Sequence, residues 1–154
     1  MKITIIGVVP PCPRYQRIYD LTVEAVGELG AQAEIRKIAY DSDEAQKFGR
    51  VGTAHDIAEW AQMKIDWSKI WDIAAEGWSP ELDNLMMPCK ERAGVEGWLM
   101  TPVLLFDDKV LVMGYVPDKD YIITQLSANT SRKERLIYEN RDIRNRLPKM
   151  QKAF

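Results

Sequence analysis

Two cysteines and one histidine are all that this 154-residue chain has of the residues that build disulfide frameworks and transition-metal sites. Two thiols do not make a secreted disulfide scaffold. The separations of Cys12, His55 and Cys89 match no standard zinc spacing, so no metal site is expected. No apolar run approaches the ~20 residues of a membrane span. There is no Walker-type loop and no G-x-G-x-x-G, so neither a nucleotide nor another cofactor is implied. No signal peptide precedes the first strand-like run, and a reducing cytoplasm is the expected compartment. Paired carboxylates are scarce as well. Asp43-Glu44 reads as a helix start and Asp107-Asp108 as a hairpin turn, not as acid–base machinery.

What the chain does have is the composition of an ordinary soluble globule, 46% hydrophobic and 29% charged, at a length that supports a full core without staples. Its net charge of −2 hides an asymmetry, because the segment from Ser131 onward carries +5 and the rest −7. Within that segment, Arg132 to Leu147 reads as a helix with Leu136, Ile143 and Leu147 on one stripe, ended by Pro148. Residues 127–154 are therefore expected to form a basic helical extension, docking through charge on its own domain, on another copy in a homo-oligomer, or on a protein partner. Tyr138 alone interleaves with those basic residues, so nucleic-acid binding has weak support.

The stretch Val8-Val9-Pro10-Pro11-Cys12-Pro13-Arg14-Tyr15 organises the remainder. Before it, Lys2–Gly7 is a β-branched run of the kind that makes a buried strand. After it, Ile18, Leu21, Thr22, Ala25, Val26 and Leu29 recur at helical spacing, and Gly30 sits where a helix stops. Cys12 thus lies at a strand-to-helix junction, with Pro13 at the first helical position, where a missing N–H costs nothing. A sulfur there meets unpaired N–H groups and the positive end of the helix dipole, both of which favour thiolate.

Further along, Ala33–Ala39 alternates as a second strand, and a strand–helix–strand crossover of this length favours parallel pairing. Asp43 to Phe48 reads as a short helix ended by Gly49. Thr101–Phe106, the turn Asp107-Asp108 and Lys109–Met113 form a hairpin, followed by a helix from about Lys119 to Leu126 and a polar link from Ser127 to Ser131. Between the two halves, Thr53 to Leu99 reads as a helical insert, with one or two helices broken near Asp66. A further helix is capped by Ser79 and Pro80, and Pro88 is expected to kink or end it just before Cys89. All five tryptophans fall in this insert. They are expected either to form a satellite core or to wall the space beside Cys12.

The strand–Cys-Pro–helix half, together with Met100-Thr101-Pro102-Val103-Leu104-Leu105-Phe106-Asp107-Asp108-Lys109-Val110 and Gly114-Tyr115-Val116-Pro117, resembles the small thioredoxin-like and glutaredoxin-like proteins. The resemblance spans about residues 1–48 and 100–126. It implies an α/β domain over 1–126 with a mixed sheet of about four strands, helices on both faces and the insert 53–99 between the second and third strands. It implies a cis peptide before Pro102, with Thr101 and Pro102 beside Cys12 and backbone groups there pairing with a substrate chain. The chain departs from that pattern where Tyr15 stands in place of the second cysteine of C-x-x-C, which puts a dithiol mechanism within the motif out of reach.

The expected function is thiol-dependent redox or thiol transfer through Cys12, by way of a mixed disulfide with a protein disulfide or small thiol. Arg14 is a candidate to hold the thiolate, Tyr15 to bond the sulfur or pack under the first helix, and Pro13, Thr101 and Pro102 to meet the substrate. Cys89 is a candidate resolving thiol if the insert brings it within about 7 Å of Cys12. The competing expectation is a redox-inactive binding module that uses the tryptophans and the basic tail.

Overall fold

Four apolar residues from two distant stretches of the chain meet on one side of the sheet, and their alternation sets the layers. In the computed structural model, which describes residues 1–8 and 12–129, the sheet is built around β1 (Lys2–Gly7). On one side it pairs in parallel with β2 (Glu34–Ala39), and on the other antiparallel with β5 (Val103–Phe106), which hairpins to β6 (Lys109–Met113). The order is β2-β1-β5-β6, a mixed four-stranded sheet. Ile3 faces Phe106 and Ile5 faces Leu104 across the β1–β5 ladder. With period-two alternation, those four side chains share one face.

That face is covered by α1 (Pro13–Leu29) and by a last helix, α6, which occupies 119–129. Ile18, Leu21 and Ala25 of α1 and Ile122 and Leu126 of α6 are buried there. The other face, presenting Ile6, Val103 and Leu105, is covered by Ala45 of the short helix α2 (Asp43–Gln46) and by Val51. Ser127 to Asn129 continue α6 where a polar link was expected. No glycine or proline interrupts them, so nothing in the backbone stops the helix after its last core contact. Val9, Pro10 and Pro11, and the basic extension from 130 to 154, lie outside the described residues.

Residues 53–99 divide differently from a purely helical insert. Arg50–Gly52 forms a strand, β3, and pairs in parallel with Trp98–Met100, β4, as a separate two-stranded ladder. Between them run α3 (Ala54–Trp60), α4 (Trp67–Ala74) and α5 (Pro80–Glu96). Each has its own start signal. Thr53 and Asp56 form a reciprocal capping box, Asp66 caps Lys69, and Ser79 caps Leu82 with Pro80 at the first position. Pro88 does not end α5; the helix runs on to Glu96. Pro88 and Asn84, whose carbonyl position 88 would have served, both lie on the exposed face, where that carbonyl is open to solvent. The three helices enclose a second core of Ile57, Ile70, Leu82, Met86, Cys89, Trp98 and Met100. Among the described residues no helix is long and apolar enough to cross a membrane.

Candidate functional site

Cys12 is the N-cap of α1, with extended backbone at φ −76° and ψ 163°. Its carbonyl accepts the N–H of Gln16 at 3.0 Å, the first bond of the helix, and its side chain makes no capping bond. The sulfur is half-buried and free, and it borders a cavity of about 290 Å³. The same cavity is bordered by Pro13 and Arg14 from α1 and by Thr101 from the loop before β5. The Thr101–Pro102 peptide is cis, as expected.

The insert supplies the rest of the wall. Trp67, Ile70, Trp71 and Ala74 recur at three- and four-residue spacing, which puts them on one stripe of α4, and all four line the cavity. Thr53, Ala54 and His55 close it from the start of α3, and Leu82 and Met86 from α5. The His55 ring lies 5.0 Å from the Trp67 ring, and its Nδ1 is 3.9 Å from a carboxylate oxygen of Glu59 in an exposed setting. Among the described residues no cluster of His, Cys, Asp or Glu has the arrangement of a metal site. A shallower depression on the far side of Pro13, bounded by Arg17 and Trp78, does not include Cys12.

Arg14 does not reach toward water. Its guanidinium is buried, and four of its five N–H donors have partners. Nε donates to Asp83 Oδ1 at 2.8 Å, Nη1 to Met86 Sδ at 3.0 Å and to the Thr101 carbonyl at 3.4 Å, and Nη2 to the Gly114 carbonyl. The partner carboxylate is also saturated, since Asp83 Oδ2 accepts from Trp78 Nε1 at 2.8 Å and from the Val116 N–H at 3.1 Å. This buried pair ties the start of α1 to α5, to the cis-proline loop and to the end of β6. None of these bonds goes to the Cys12 sulfur, so the expected hold of Arg14 on the thiolate is not made in this arrangement.

Tyr15 packs under α1. Its ring covers Gly7, where an added Cβ would lie 2.3 Å from the ring carbon Cγ. Its hydroxyl lies 3.3 Å from the Ile5 carbonyl and 3.4 Å from that of Ile38, and donates to this pair of backbone acceptors. Burial, with a smaller contribution from negative charge at Cys12, pushes the phenol up to about 12. Cys89 sits fully buried in the second core and does not line the cavity. Burial pushes its thiol up, with the Arg14 guanidinium pulling the other way.

The backbone beside the cis peptide is already paired within the chain. The Thr101 N–H donates to the Gly52 carbonyl at 3.0 Å, its carbonyl accepts from Arg14, and the Pro102 carbonyl accepts from the Gly114 N–H at 3.0 Å. The expected pairing of these groups with a substrate chain is therefore occupied by β3 and by the loop after β6. Sequence reading missed Asp83 as the partner of Arg14, whereas a tryptophan wall beside Cys12 was one of its two expectations for the insert, and Trp67 and Trp71 of α4 supply it. The stripe had a usable signal in its spacing, whereas a pairing across 69 residues had none. Comparison with family models, curated proteins and solved structures finds no match to this chain.

Proposed function

We propose that this is a thioredoxin-like domain with a helical insert and a basic C-terminal extension, and that it transfers thiols through Cys12 in a reducing cytoplasm. The observation that carries this reading is the Cys12 sulfur at the N-terminus of α1, uncommitted to any capping bond and facing a defined cavity with Thr101 on its rim. The sheet order β2-β1-β5-β6, with Cys12 following its central strand β1, supports the fold part of the proposal.

The chemistry is exchange. The Cys12 thiolate attacks one sulfur of a disulfide, forms a new S–S bond, and expels the other sulfur as a thiolate that takes a proton from water. A second thiol then attacks the mixed disulfide and returns Cys12 to its starting state. Within the motif Tyr15 offers no sulfur for that second step, and Cys89 is shut in the second core, so the resolving thiol comes from solution. The first turn of α1 stabilises negative charge at the sulfur through its N–H groups and dipole.

Competitive alkylation tests the proposal. With limiting iodoacetamide on the folded protein at neutral pH, Cys12 is expected to label well ahead of Cys89, and ahead of a cysteine in an unstructured peptide. A Cys12 rate equal to or below the peptide's removes the nucleophile and leaves a binding module. The exposed indoles of Trp60 and Trp71 would then be the surface to examine for a protein partner.

A further inference from the structure

The wall of the Cys12 cavity is selective in two ways. First, it is small and apolar. Its volume of about 290 Å³ falls just below that of most ligand sites, which run from roughly 300 to 1,000 Å³. Trp67, Ile70, Trp71, Leu82 and Met86 line the cavity together with Cys12. Among the described residues Arg14 is the one permanently charged side chain on the wall, and four of its five N–H donors are held by Asp83, Met86, Thr101 and Gly114. A substrate carrying several charges would be desolvated there with few partners, which is expensive.

Second, beside the cis peptide the described backbone offers an extended polypeptide no unpaired partner. Strand addition needs an edge with free N–H and C=O groups. Beside the cis peptide those groups are taken: the Thr101 N–H by Gly52, the Thr101 carbonyl by Arg14, and the Pro102 carbonyl by Gly114. The strand β3 of this chain lies where an incoming strand would have to pair.

Building on Cys12 as the transferring thiol, we propose that the cavity admits the apolar, uncharged half of a low-molecular-weight disulfide, aromatic or branched-alkyl in shape, and discriminates against charged thiols and polypeptide disulfides. The Cys12 thiolate bonds to the sulfur of the apolar half, and the S–S bond of the incoming disulfide breaks. The other half leaves to solvent as a thiolate and is protonated by water. A small thiol then attacks the sulfur of the bound half, releases it as a new disulfide, and restores Cys12. The disulfide is both the oxidant and the group donor, so no further electron acceptor is needed.

The test uses the full chain and three disulfides: neutral 2,2′-dipyridyl disulfide, glutathione disulfide, and a cystine-bridged peptide. Adduct formation at Cys12 is followed by mass spectrometry of the digested protein, and each rate is divided by that of an unstructured cysteine peptide with the same reagent. The normalised rate is expected to be greatest for the dipyridyl compound, about tenfold above glutathione disulfide, since burying one ring is enough for such a ratio. Trp71→Ala, at a position 63% exposed and so tolerant of truncation, should cut that preference about fivefold. Val95→Ala, on α5 and outside the cavity wall, should leave it unchanged. Equal normalised rates, or faster reaction with glutathione disulfide or the peptide, overturn the substrate class while leaving thiol transfer standing. A preference that survives Trp71→Ala intact also overturns it. Cys12 reacting no faster than the free peptide with every reagent removes thiol transfer itself, and the substrate class with it.

Discussion

Asp83→Ala is the substitution on which the internal architecture of the site depends most. It removes the acceptor of three donors at once: Arg14 Nε at 2.8 Å, Trp78 Nε1 at 2.8 Å and the Val116 N–H at 3.1 Å. It also leaves the Arg14 guanidinium, 4% exposed, without its counter-charge. Stranding one member of a buried ion pair costs about 3–5 kcal/mol, because the remaining charge stays desolvated. For a chain of this size that corresponds to a fall in melting temperature of roughly 6–20 °C. Thermal unfolding followed by circular dichroism measures it directly. The double variant Arg14→Met/Asp83→Leu completes a cycle. Removing both charges should cost less than the sum of the two single changes by at least about 1 kcal/mol, since neither charge is then left alone. An Asp83→Ala loss under about 1 kcal/mol would mean that water reaches Arg14. The buried pair would then not be what holds the start of α1 against α5.

Two further outcomes follow from Tyr15. Its phenol is pushed up to about 12 from an ordinary value of 10.0, mainly by burial. The folded state therefore holds its proton where the unfolded state gives it up, and the stability due to this group is full below pH 10 and is lost as pH rises toward 12. Denaturant titrations across that window should show the decline in the wild type and a smaller one in Tyr15→Phe; equal declines would mean that the ring is hydrated. Gly7→Ala puts a Cβ 2.3 Å from the Tyr15 ring. It should destabilise by about 1–3 kcal/mol through overpacking, and a neutral result in urea unfolding would show that the ring moves aside freely.

Much of the sheet was legible because its signals are local. Lys2–Gly7 and the hairpin about Asp107-Asp108 have the residue types of their strands and turn, and both turn residues take the positive φ that a tight hairpin asks for. Ser79-Pro80 announces a helix start from its own chemistry, and the break expected near Asp66 falls at the cap of α4. Cys12 at a helix start was legible for the same reason. The strands Arg50–Gly52 and Trp98–Met100 were not, because three residues are too few for a period and their pairing is set by the helices that bring them together. Arg14 read as a candidate to hold the thiolate, and its buried partner Asp83, 69 positions away, had no signal in the sequence. Pro88 did not end its helix, and there the carbonyl that loses its partner lies on an exposed face.

The central claim is that Cys12 alone carries exchange, and turnover measures it most directly. The full chain, its Cys12→Ser variant and its Cys89→Ala variant are each supplied with a small disulfide and an excess of a reducing thiol, and the thiol released is followed over the uncatalysed background. Cys12 stands at an element end and Cys89 outside the cavity wall, so the account predicts turnover by the wild type, retention in Cys89→Ala, and none above background in Cys12→Ser. Turnover that survives Cys12→Ser, or that is absent from a folded wild type, contradicts it.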